Sequence, residues 1–431
     1  SSVIPEILSE AKDYPGPNKR DGSRIKNRPF FNKISTADQE ESEMCSKIRP
    51  VLVVILSVMF LAGCSSLPMQ KTRAYVEDLY SRVQYKKEGF YRTTGIFYAT
   101  SQKAEIKEDS SLYFCPELAK EPTYGQTDVR IDPRIRIGKM SPERLKREEL
   151  VNVQDIRELK EDVFLKKVAE AVKAAPHRSL LVLVFGYKDN FESTAIKAAY
   201  FSYLLDVNTP VLLFGWPGDQ PVSISGYKKA QRLATASGPY LGELLTAVIR
   251  KVKPEKLWIH SSSLGCQVVC DAFEYMYKYD DLSDKEVEIA NVVMAAPDVN
   301  KDEFDNRFQK ELTALSDNLT AYVSSDDEAL LISGWIDQEK KFGLQRIKEH
   351  QQFEEAKDLL YLKSLEPDKF AVVDVTPINT ASYRHGYYLE EPAYFDDVYI
   401  RVLGKKPHTN RRLFLMKTKD DVDYLVLRGF K

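Results

Sequence analysis

From residue 179 to residue 376 the chain keeps exchanging one pattern for another: an apolar run of strand length, a loop, then a stretch with apolar residues at helical spacing. SLLVLVFGY (179–187) and TPVLLFGWPG (209–218) are almost uninterruptedly apolar, as strands covered on both faces must be. STAIKAAYFSYLL (193–205) between them reads as a helix. AQRLATASGPYLGELLTAVIRKV (230–252) reads as helical with a break near Gly238 and Pro239, KLWIH (256–260) as a strand, and LGCQVVCDAFEYMYKY (264–279) as a helix. VEIANVVMAAPD (287–298), LTAYVSS (319–325) and KFAVVDVT (369–376) each hold a further strand. Such alternation predicts an α/β fold with a mostly parallel, doubly wound sheet and flanking helices.

Outside this span the pattern is weaker. TTGIFYATSQKA (93–104) and TDVRIDPRIRIGKM (127–140) read as early strands, the second with a proline bend. Residues 148–175 read as a charged stretch ending in a helix, and 339–362 as a charged helix. YIRVLG (399–404) and YLVLRGF (424–430) read as strand-like pieces at the sheet edge. The chain's 431 residues, 43% hydrophobic, suffice for a sizeable core. A formal net charge of −2 gives no electrostatic case for nucleic acid as a partner. Five cysteines in this length make no disulfide framework. Cys266 and Cys270 share a helix face but have no third ligand nearby, so they read as small buried groups rather than a metal site. His260 reads as a packed histidine, and Trp216 as either pocket lining or core.

MCSKIRPVLVVILSVMFLAGCSSLPMQ begins at Met44 with a short basic region, an apolar run over 51–62 and small residues before Cys64. That is the form of a secretory signal. The run is too short to span a bilayer, which takes roughly 20 apolar residues. LAGC resembles the bacterial lipobox. The resemblance implies diacylation of Cys64, cleavage before it, a membrane anchored through the lipid, and, with Ser65 following, sorting to the outer membrane of a bacterial cell envelope. Residues 1–43 are polar and aperiodic; they are read as disordered or as a mis-assigned extension, with translation starting at Met44.

LWIHSSSLGCQVV (257–269) puts serines between a strand and a helix, at the sheet edge where α/β proteins bind ligands. A nucleophile elbow, G-x-S-x-G, needs small residues two before and two after its serine because strand and helix crowd there. Only Ser263 satisfies this, with Ser261 and Gly265; Ser262 is flanked by His260 and Leu264. Ser263 is therefore the candidate nucleophile, with the Leu264 N–H as an oxyanion donor at the helix start. The competing reading is a serine helix cap. A serine needs a base and an orienting acid. Of the histidines after it, His350 lies in a charged helix and His408 in a basic loop, whereas His385 follows a strand and shares the rim of Ser263. Asp298 and Asp327, the latter flanked by Asp326 and Glu328, both follow strands, and position alone does not choose between them.

FGYK (185–188), GWPG (215–218), SSLG (262–265), AAPD (295–298), YVSSDDEAL (322–330) and RHGYY (384–388) occur in that order. Together they resemble the motifs HGYN, SWP, HSMG, AAPD, YVSSND-AL and GH-[SG]-Y of a bacterial α/β-hydrolase family of esterase/lipase-like proteins. The resemblance implies an α/β-hydrolase fold, Ser263 as nucleophile, Asp327 as acid, His385 as base, and Asp298 as a rim residue and alternative acid. It implies a second oxyanion donor near Gly186 or Tyr187, no cofactor, and a small-molecule or lipid ester as substrate. Phe185 and Lys188 depart from the pattern, standing where the family has His and Asn. The domain organisation expected is an extension (1–43), a lipoprotein signal (44–63), a tether and helix (64–92), the hydrolase domain (93–395) and a C-terminal extension packing on it (396–431). Two functions remain open: a lipid-anchored serine hydrolase of esters, or a catalytically inactive lipoprotein of the same fold that binds an envelope partner.

Overall fold

In the computed structural model the run SLLVLV forms β5 (Ser179–Val184), buried along its whole length between two parallel neighbours. The structure describes residues 86–108, 111–138, 141–282, 289–330, 369–404, 410–417 and 423–429, all within one unit, Tyr75–Lys431. The signal sequence, Cys64, His350, His408 and the expected helix at 339–362 lie outside the described residues.

The other strands are β1 (Lys86–Glu88), β2 (Tyr91–Ile106), β3 (Leu112–Ile131), β4 (Val151–Leu159), β6 (Val211–Gly215), β7 (Lys256–Ser262), β8 (Ile289–Ala295), β9 (Leu319–Val323), β10 (Phe370–Asp374), β11 (Leu413–Lys417) and β12 (Asp423–Leu427). They form a 12-stranded sheet in the order β11-β12-β10-β9-β8-β7-β5-β6-β2-β3-β4, with β1 paired to β2. From β12 to β2 every neighbouring pair is parallel; β2–β3, β3–β4, β1–β2 and β11–β12 are antiparallel. The expected mostly parallel sheet is present.

Side chains of β5 alternate between two cores, as the two-residue period requires. Leu180, Val182 and Val184 pack beneath α2 (Glu161–Ala174), α4 (Ile224–Ala247) and α5 (Gly265–Met276). Leu181, Leu183 and Phe185 face α3 (Phe191–Leu205) and α9 (Pro392–Val402). The shorter helices are α1 (Pro142–Arg147), α6 (Lys301–Glu303), which runs through a π turn into α7 (Gln309–Leu315), and α8 (Tyr387–Glu390). No helix among the described residues is long and apolar enough to cross a membrane.

Several elements differ from expectation. Gly238 and Pro239 do not break α4, which runs through both. A Cβ on Gly238 would come 2.3 Å from Asp271 Cβ, and one on Gly242 2.7 Å from Tyr275 Cδ1. These glycines let α4 lie directly on α5, and that contact outweighs the roughly 3 kcal/mol cost of an internal proline. The charged stretch before α2 contains an unexpected strand, β4, which among the described residues pairs with β3 alone. Its half-exposed, charged pattern is that of a protected sheet edge. β3 ends at Ile131, so Pro133 lies in a turn where Asp132 Oδ1 accepts the Arg134 N–H at 2.8 Å, and residues 132–138 form no strand. The first four residues of YIRVLG end α9, with Leu403 and Gly404 in the turn after it, whereas YLVLRGF contributes to β12, parallel to β10.

Chain order fixes where a site can form. β6 lies on one side of β5, and β7 and β8 on the other. The loops leaving β5 and β7 therefore diverge, opening a crevice at the carboxyl ends of the strands.

Candidate active site

β7 ends in a tight turn on which Ser263 has φ 52, a conformation rare for a side-chain-bearing residue. The turn is held by Ser263 N donating to Ala295 O at 3.0 Å, and by Asp298 N and Cys266 N donating to Ser263 O at 3.2 and 3.0 Å. Ser261 and Ser262 are wholly buried, while Ser263 retains 8% exposure. Gly265 is required: a Cβ there would stand 2.5 Å from Val184 O and 2.7 Å from Phe185 O. Ser261, in place of glycine, fits with its hydroxyl 3.3 Å from Cys266 Sγ. Together these are the features of a nucleophile elbow.

The loop after β5 passes over this turn. A Cβ on Gly186 would come 2.6 Å from Ser263 Cβ and 3.1 Å from its Oγ. Trp216 Nε1 donates to Phe185 O at 2.7 Å, and because the peptide is planar and trans, the Gly186 N–H points the opposite way. Lys188, at φ 78, donates its N–H to Gly218 O at 2.9 Å, and the Tyr187 hydroxyl donates to Pro221 O at 2.6 Å. Among the described residues no backbone carbonyl takes the N–H of Leu264 or Tyr187. Trp216 is thus core by burial, at 4% exposure, yet fixes the plane of a loop beside the serine. Sequence spacing gave no sign of that role.

Asp327 follows β9 and is fully buried. Its Oδ1 accepts the Leu330 N–H at 3.0 Å and its Oδ2 lies 2.8 Å from His385 Nδ1. Asp326 is turned elsewhere, paired with Arg384, and Glu328 is exposed. His385 follows two residues of positive φ, Tyr383 (φ 52) and Arg384 (φ 49), and the Arg384 carbonyl accepts from Asn379 Nδ2. Asn379, which the sequence did not single out, therefore helps hold the histidine loop. Burial pulls the His385 pKa down, but the charge and hydrogen bond of Asp327, joined by Asp298, more than reverse this, so it lies above the usual value. Asp298 is 4% exposed; its backbone N–H bonds Ser263 O and its Oδ2 accepts from the Tyr227 hydroxyl at 2.7 Å. It acts on His385 through its charge, while Asp327 holds the ring. A cleft of about 340 Å³ borders Leu264 and Asp298, lined by Gln231, Arg232, Thr235 and Asn300 among others.

Cys266 and Cys270 are buried, with burial pushing the Cys266 thiol up to about 12. No group of three or more His, Cys, Asp or Glu among the described residues could hold a metal. His260 is packed, its Nε2 2.7 Å from the Tyr394 hydroxyl.

Sheet order, the elbow at the end of β7 and the Asp327–His385 pair in loops at the same carboxyl end of the sheet define an α/β hydrolase. Residues 135–406, more than half of the chain, match the family "Alpha/beta hydrolase of unknown function (DUF900)", and the chain belongs to it. A search of curated proteins found no match. Among solved structures the chain is similar to a Lactobacillus plantarum WCFS1 protein described as a cell surface hydrolase, at 12% identity and TM-score 0.29, over 54% of this chain and 95% of that one. It is also similar to a Legionella pneumophila protein described as a hydrolase, at 10% identity and TM-score 0.20, over 71% and 81% of the two chains.

Proposed function

We propose that the protein is a serine hydrolase of carboxylic esters, held at the bacterial outer membrane by a lipid on Cys64. The observation that carries the catalytic part is the elbow geometry of Ser263, with Gly186 packed over its hydroxyl and the buried Asp327 bonded to His385 Nδ1 on the same rim. In this reading Ser263 Oγ attacks the ester carbonyl while His385 Nε2 takes its proton. The Leu264 N–H and one from the Gly186–Tyr187 peptide region hold the oxyanion. His385 then gives the proton to the departing alcohol, and water, activated by the same imidazole, releases the acid from the acyl-enzyme. Asp327 fixes the tautomer and stabilises the imidazolium. These steps use side chains and backbone alone. The anchor rests on the LAGC motif at Cys64.

A fluorophosphonate probe tests the catalytic reading. Labelling of the wild type and its loss in Ser263→Ala are expected. An unlabelled, folded wild type would leave the inactive envelope-binding reading in its place. Incorporation of an alkyne-palmitate label, lost in Cys64→Ala, tests the anchor separately.

A further inference from the structure

Behind the loop that covers Ser263 lies an ion pair that the ester chemistry above leaves unused. Lys197, on α3, and Asp189, in the loop, pair with only 13% and 12% of their side chains exposed. The Lys197 ammonium also stands 5.9 Å from the centroid of the Phe185 ring. The pair thus grips the loop from both sides of Gly186 and Tyr187, just past the strained Lys188. Asn190, the next residue, caps α3 by accepting the Ser193 N–H at 2.9 Å. Thr194, one turn before Lys197, donates its hydroxyl to Phe191 O at 2.8 Å, so its polar group is satisfied within α3, whereas Lys197 is a cation whose burial is costly without a partner.

We infer that Lys197 is a positioning residue for the hydrolytic reaction: through Asp189 and Phe185 it locks the oxyanion loop over Ser263. This rests on the esterase reading. The charged and titratable groups facing His385 are Asp327 after β9, Asp298 after β8, Tyr388 on α8 and Lys197 on α3. Those facing Lys197 are Asp189, Glu143 on α1 and Tyr388. Among them Lys197 is the group that lowers the His385 pKa, so its removal moves the acid limb of kcat/KM to higher pH.

The test follows hydrolysis of a short p-nitrophenyl ester across pH, beside fluorophosphonate labelling rates and thermal unfolding. Lys197→Met is expected to lower kcat about 10-fold at nearly constant KM, less than the loss of a whole oxyanion donor, and to displace the acid limb upward. Lys197→Arg returns the limb to its wild-type position. Asp189→Asn, which keeps the cation but frees the loop, lowers kcat without that upward displacement. A Lys197→Met enzyme with wild-type kcat and limb overturns the inference, as does a kcat loss matched by the unfolded fraction with the limb unmoved. If Lys197→Met does not fold, Asp189→Asn decides: a wild-type kcat overturns the role. Wild-type protein unlabelled at Ser263 sinks the esterase reading instead, whereas labelled wild type with unaffected variants sinks the Lys197 role alone.

Discussion

At the scale of single residues, the site depends on backbone that few side chains tolerate. Ser263, Lys188, Tyr383 and Arg384 all have positive φ, and each sits in or beside the loops that carry the candidate chemistry. Such conformations cost about 1–3 kcal/mol each and persist where surrounding bonds fix them. Here those bonds come from Ala295, Asp298, Gly218 and Asn379. The Asp327–His385 contact gives the sharpest expectation. Asp327→Asn keeps the shape but presents an amide to Nδ1 and favours the wrong tautomer. Esterase kcat should fall by about 10⁴-fold while the thermal midpoint changes little, measured with the p-nitrophenyl ester and by calorimetry. A loss below 10-fold would point to a different orienting acid, with Asp298 the residue to substitute next.

At the scale of elements, the pairing of α4 with α5 places the elbow helix. Gly238 and Gly242 remove the side chains that would hold the two helices apart. Gly238→Val should drive a Cβ into Asp271 and destabilise by about 1–3 kcal/mol, read as a lower urea midpoint. Because α5 begins at the elbow, ester hydrolysis at permissive temperature should fall as well. An unchanged midpoint would mean that the helices separate without cost.

For the whole molecule, two buried ionisable groups set opposing pH dependences. Burial lowers the His260 pKa from 6.5 to about 3. The unfolded chain therefore takes up this proton first, so the stability that neutral His260 contributes is present above pH 6.5 and lost as pH falls towards about 3. Asp271 runs the other way. Burial raises its pKa from 3.8 to about 6, so its contribution is present below 3.8 and lost as pH rises through about 6. His260→Gln, which keeps a partner for the Tyr394 hydroxyl, should flatten the loss of stability between pH 7 and pH 4 in urea titrations; an unaltered slope would refute the assignment. The cleft beside Leu264 carries a second expectation. Its lining of Gln231, Arg232, Thr235 and Asn300 suits a hydrogen-bonding group better than a second acyl chain. Among esters of one acid, a glyceryl ester should show a higher kcat/KM than a butyl ester, and Thr235→Val with Arg232→Ala should narrow the difference. Equal rates for both alcohols would place the alcohol elsewhere.

Much of this architecture is legible in the sequence. Continuous apolar runs such as SLLVLV can be satisfied only between two helical layers, and the small residues around Ser263 are demanded by the crowding of strand on helix. Ser263, His385 and the two aspartates are legible from their positions after strands, which is a local property. What stayed hidden depends on partners distant in sequence. The strand β4 exists because an edge position beside β3 accepts a charged, half-exposed segment. Helix α4 survives Gly238 and Pro239 because α5 lies against them, and residues 399–402 are helical because α9 packs Val398 and Val402 into the core. Asp327 rather than Asp298 meets the His385 ring because two loops from separate strands converge there. Sequence alone determined the alternation and the chemistry available at each strand end, since these follow from spacing along one chain. Tertiary structure decided which of those groups meet, because hydrogen bonds, close glycine contacts and buried charge pairs are set by neighbours that no local pattern encodes.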